Sequence, residues 1–124
     1  MILAYLILAQ KRFTEFDAHY FPGQDVIFSR VSEPRNYSGC DKPTNLTGPC
    51  AEIPCSPGDA TWSMPEAALI DRVVRDLSTV GLKLLQTAKE VFAKREAHVY
   101  PLYDREFSDR ITKLCLPVLT VLLQ

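Results

Sequence analysis

The chain has 124 residues, 47% of them apolar and 23% charged, with 14 basic and 15 acidic side chains and a net charge of −1. That length holds one domain with a real hydrophobic core. A balance so near neutrality excludes the clustered cationic excess of a nucleic-acid binder and the polybasic segment of a protein drawn to anionic membranes.

Residues 2–9, Ile-Leu-Ala-Tyr-Leu-Ile-Leu-Ala, predict a buried strand covered on both faces. The run is too short to cross a bilayer, which takes about 20 residues. It is also unlike a secretory signal, because Lys11 and Arg12 follow the apolar stretch instead of preceding it. The second apolar run, 114–123, is equally short and is interrupted by Pro117. A cytoplasmic chain without a membrane span is expected. Its two apolar ends predict exposed hydrophobic surface in isolation, and with it self-association.

Residues 10–17 read as a polar connection. The segments 18–21 and 26–31 predict a β-hairpin closed by Pro22-Gly23-Gln24-Asp25, where Pro presets φ and Gly supplies a positive φ. Residues 33–49 are rich in Pro, Asn, Ser and Gly and read as an irregular loop. Cys50 to Cys55 predicts a short extended segment that Pro54 places at a sheet edge or near its own end. Ser63-Met-Pro-Glu66 has the spacing of a capping box, with Pro65 in the first turn, and predicts a helix over 64–80. Leu69, Ile70, Val73, Val74, Leu77 and Val80 share its apolar face, while Asp71, Arg72, Arg75 and Asp76 share the other. Gly81 is placed to end it in the left-handed region. A strand is expected within 91–100. A second helix is expected to begin near 104 and to be kinked or split at Pro117. The order of elements predicts an α+β fold, a small mostly antiparallel sheet with two helices packed on it.

The standard constellations for chemistry are missing from the sequence. The five glycines, at 23, 39, 48, 58 and 81, cannot form a dinucleotide fingerprint or a phosphate-binding loop. No Ser lies in Gly-x-Ser-x-Gly. Cys40, Cys50, Cys55 and Cys115 include no Cys-x-x-Cys pair and have no histidine near them, so no metal site is expected. Free cytosolic thiols are the expectation; a disulfide among Cys40, Cys50 and Cys55 is the alternative for a secreted chain. The sequons at Asn36 and Asn45 matter only in that second case.

Three side chains stand out as candidate ligand contacts. Arg30, at the end of a predicted strand, can offer its fork to a phosphate or carboxylate, or pair with Glu33 or Glu52. Tyr100 and Tyr103 flank Pro101 and either line a pocket or pack at a strand end. Trp62 is placed to pack against the start of the helix.

Four stretches then carry a resemblance: Val26-Ile-Phe-Ser-Arg-Val-Ser-Glu-Pro34, Ala51 to Trp62, Glu66-Ala-Ala-Leu-Ile-Asp71 and Tyr100-Pro-Leu-Tyr-Asp104. In order and spacing they resemble the middle segment of FAD-dependent amine-oxidase-like oxidoreductases, nearest to the protoporphyrinogen-oxidase-like and UDP-galactopyranose-mutase-like members. The likeness runs from about residue 2 to 107. It implies a substrate-side α+β segment over 1–107, standing over the flavin, followed by a divergent helical tail over 108–124. In mutase-like members an arginine in an aromatic-(Ser/Thr)-Arg-x-x-Glu arrangement contacts the diphosphate of a nucleotide sugar. Phe28-Ser29-Arg30-Val31-Ser32-Glu33 matches it, which implies substrate binding by Arg30, with Tyr100 next and Tyr103 after it. The Gly-rich flavin-binding start of that family and its later Gly-Arg-x-Gly stretch have no counterpart here. The resemblance therefore implies FAD in the parent protein, none held by this chain alone, and a separate flavin-binding domain as partner. The alternative is a non-enzymatic α+β module that binds a partner or small ligand.

Overall fold

The computed structural model describes residues 1–38, 42–84, 87–100 and 105–113. It shows the expected small α+β fold. Five strands, β1 (Ile2–Ile7), β2 (Ala18–Tyr20), β3 (Arg30–Ser32), β4 (Cys50–Ile53) and β5 (Glu90–Arg95), form one antiparallel sheet in the order β2-β3-β4-β1-β5. A single turn, α1 (Pro34–Tyr37), follows β3, and α2 (Glu66–Thr79) is the long helix. Residues 107–113 are also helical.

The core lies between α2 and one face of the sheet. Ile2, Ala4 and Leu6 of β1, Val31 of β3, Ala51 and Ile53 of β4, and Leu69, Ile70, Val73 and Leu77 of α2 are buried together with Val26 and Phe28. Strict alternation along β1 sends Ile2, Ala4 and Leu6 inward and leaves Leu3, Tyr5 and Ile7 only partly covered. β1 is thus an interior strand with one dry face, not a strand covered on both. For the same reason 2–9 is not an exposed apolar end: β4 and β5 flank it, and Leu8 bridges to Thr47. The run 114–123 lies outside the described residues.

The hairpin forms in the register Ala18↔Ser32, His19↔Val31 and Tyr20↔Arg30, but its second arm starts at Arg30. Residues 26–28 leave the sheet because Val26 and Phe28 turn into the core and the Ile27 N–H donates to Asp76 Oδ2 at 2.7 Å. Asp76, expected on the polar face of α2, is therefore buried, where it also accepts from Arg72 Nε at 2.9 Å. The carboxylate serves a partly buried N–H that lies outside the sheet ladder.

The helix begins later than 64. Pro65 is its N-cap with ψ 140°, and no side chain caps it. The capping box does not form, because Glu66 Oε2 instead accepts the Ala93 N–H at 3.2 Å on the outer edge of β5. The far end follows expectation. Gly81 has φ +82°, the Gly81 N–H bonds Ser78 O at 3.2 Å, and the Leu82 N–H bonds Leu77 O at 2.9 Å. The stretch 33–49 is less irregular than its composition suggests. Pro34 opens α1, and the Glu33 side chain caps it by accepting from the Arg35 N–H. Fully buried Glu33 also accepts from the Phe13 N–H at 2.8 Å and from Thr47 Oγ1, joining three loops. β4 ends at Ile53, directly before Pro54, and sits mid-sheet.

Candidate functional site

The face of the sheet opposite α2 carries the polar chemistry. Pairing registers place Tyr20, Arg30, Glu52, Leu3 and Lys94 in one row across all five strands. Ala18, Ser32, Cys50, Tyr5 and Phe92 form the adjacent row. Neighbouring strands lie about 4.8 Å apart, so side chains within a row touch.

Arg30 lies in the first row between Tyr20 of edge strand β2 and Glu52 of β4. Its Nε donates to Glu52 Oε1 at 2.8 Å, and its terminal nitrogen also pairs with the same oxygen. The Tyr20 ring lies 5.9 Å from the guanidinium carbon. The hydrogen bond to Glu52 raises the Arg30 pKa further, so the charge is permanent. Of the two partners considered for Arg30, the sheet selects Glu52 by direct cross-strand register, while Glu33 is turned into the loops behind it. The side chain remains 35% exposed. A guanidinium has five donors; Glu52 takes two and Tyr20 also lies against the group, which leaves only the solvent-facing part of the fork open.

In the second row, Tyr5 stacks on Phe92 with ring centroids 4.9 Å apart. Cys50 lies beside Tyr5, and burial pushes its thiol up to about 11. Burial also raises the Tyr5 hydroxyl. Cys50 and Cys55 are both free thiols. Among the described residues no group of three His, Cys, Asp or Glu side chains could hold a metal ion.

Tyr100 lies elsewhere. It is 65% exposed and lines a shallow cavity with Met1, Cys55 and Val99, and Arg30 does not line that cavity. Tyr103 lies outside the described residues, as do Cys40 and Cys115. Trp62 is partly buried against the core, and its carbonyl accepts from Arg95 Nε at 2.9 Å. The Asn36 amide donates to Thr14 O at 3.1 Å and Phe16 O at 2.8 Å, so a glycan on that nitrogen, which leaves it one N–H, would break at least one of these bonds. The sequence reading missed Tyr20 and the Tyr5–Phe92 pair. The alternation of aromatic residues with small or polar ones in Ala18-His-Tyr20 and Leu3-Ala-Tyr5 was the available signal.

No helix among the described residues is long and apolar enough to cross a membrane. No protein-family model, no curated protein and no solved structure matches this chain.

Proposed function

We propose that this chain is the substrate-side domain of an FAD-dependent oxidoreductase or mutase, and that the polar sheet face is its substrate wall. In this reading Arg30 binds an anionic group such as a nucleotide-sugar diphosphate, and a separate domain holds the flavin. The supporting observation is the position of Arg30: a permanent cation, oriented by Glu52 and Tyr20, one strand in from the β2 edge on the sheet face opposite the helix. Orientation by neighbours lowers the entropy lost when a ligand fixes the fork.

Calorimetry of the full chain with UDP-galactose tests it. Saturable binding is expected, weakened about tenfold or more by Arg30→Ala through loss of charge-assisted bonds. Absence of binding, or equal affinity in the variant, removes the reading. Near-stoichiometric yellow colour on adding FAD to the purified chain would refute the division of labour between two domains. A second reading, a non-enzymatic interaction module, draws on the exposed Val91 and Phe92 of outer strand β5. It predicts that partner binding survives Arg30→Ala and is lost in Phe92→Ser.

A further inference from the structure

A second cavity, of mixed polar and apolar lining, lies between the 10–14 loop and the end of α2. It has a volume of about 330 Å³ and is lined by Gln10, Arg12, Phe13 and Thr14 on one side and by residues 81–83 on the other. Among the described residues its charged lining is Arg12 and Lys83, with no carboxylate. Among the described residues neither cation forms an ion pair. Both side chains are solvent-exposed at the cavity's rim, and an anion seated there would meet positive charge from each wall.

Both walls are anchored. Gln10 Nε2 donates to Arg12 O at 2.8 Å, which closes the loop beneath the arginine. The next residue, Phe13, gives its N–H to fully buried Glu33 and packs its ring on the core. Thr14 Oγ1 is held by His19 Nε2 at 2.9 Å. Opposite, the left-handed Gly81 fixes the direction in which Leu82 and Lys83 leave the helix. A helix C-terminus ordinarily disfavours an anion. Here the carbonyls of Asp76, Leu77 and Ser78 are already bonded by the N–H groups of residues 80–82, which weakens that opposition.

We propose that this cavity binds a phosphate group, free or carried by a small metabolite, between Arg12 and Lys83. The site is independent of Arg30 and of any flavin reading.

Amide NMR of the full chain during titration with inorganic phosphate, at constant ionic strength against chloride, tests the proposal. Saturating shifts are expected at 12–14 and 82–83. Arg12→Gln and Lys83→Gln should each weaken binding about tenfold, and exposed Lys89→Gln should not. Amide spectra of the variants confirm that they remain folded. Tighter binding of a sugar monophosphate assigns the site to a phosphorylated metabolite, and equal or weaker binding assigns it to free phosphate. A linear, unsaturated response overturns the proposal. So do shifts centred on Arg30, or full affinity in either glutamine variant.

Discussion

The two faces of the sheet use the same five strands for opposite ends. On the inner face, α2 meets Ile2, Ala4, Leu6, Ala51 and Ile53, and every one of these is fully buried. The outer face alternates with it residue by residue, yet carries an ion pair, a buried thiol and stacked aromatics. Burial of apolar area stabilises the first face without regard to direction. The second relies on directional contacts, each of modest net value, around buried Ser32, Cys50 and Glu52 and a partly exposed Arg30. Packing and directional polar contacts are therefore segregated to different faces in this fold. A substitution on one face should leave the property of the other largely intact.

The largest effect tests the inner face. Phe28 is the largest fully buried side chain and meets Phe21 edge-to-face with ring centroids 5.1 Å apart. Phe28→Ala should cost about 3–5 kcal/mol by urea denaturation. A cost below about 1 kcal/mol would mean that the helix-facing layer is not the core. Asp76→Ala comes next, at about 2 kcal/mol, because it strands the Ile27 N–H. Amide exchange at Ile27 should accelerate along with it; unchanged exchange would show that the bond does not hold this segment. On the outer face, Glu52→Gln should cost only about 1 kcal/mol, since Arg30 remains partly hydrated. A cost equal to that of Phe28→Ala would erase the distinction between the faces.

Periodicity made the inner face readable. Leu69, Ile70, Val73 and Leu77 recur at helical spacing, Gly81 marks the stop, and these features survive in the structure. What stayed hidden was long-range hydrogen bonding. Asp76 looks like a solvated residue on a helical wheel until a loop 49 positions earlier presents it with an N–H. Glu66 looks like half of a capping box until β5 brings Ala93 within reach. Glu33 followed by Pro34 did carry a local signal, an N-cap and a first-turn proline, within a stretch whose composition suggested only a loop. The candidate site divides in the same way. Arg30 and its possible partner Glu52 were visible as residue types, but their shared row depends on β3–β4 register, which local sequence does not encode.

The smallest effect concerns Cys50, and its sign is informative. Burial raises this thiol from its ordinary value near 9 up to about 11, so the folded chain keeps the proton after the unfolded chain has released it. The stability contributed by the neutral thiol is full below about pH 9 and is lost as pH rises towards 11. Tyrosine and lysine titrations overlap that window, so an absolute pH profile would mix them. The difference between wild type and Cys50→Ala removes most of the overlap. Measured by urea midpoint under reducing conditions, that difference should be constant up to about pH 9 and shift against the wild type above it. A difference that stays flat to pH 11 would mean that water reaches the thiolate, and hence that the outer face is open even beside Tyr5. Alkylation gives an independent reading at lower pH: iodoacetamide should label half-buried Cys55 well before Cys50. Equal labelling of the two would place Cys50 with the exposed part of the outer face, whereas slow labelling places a dry patch next to a hydrated Arg30.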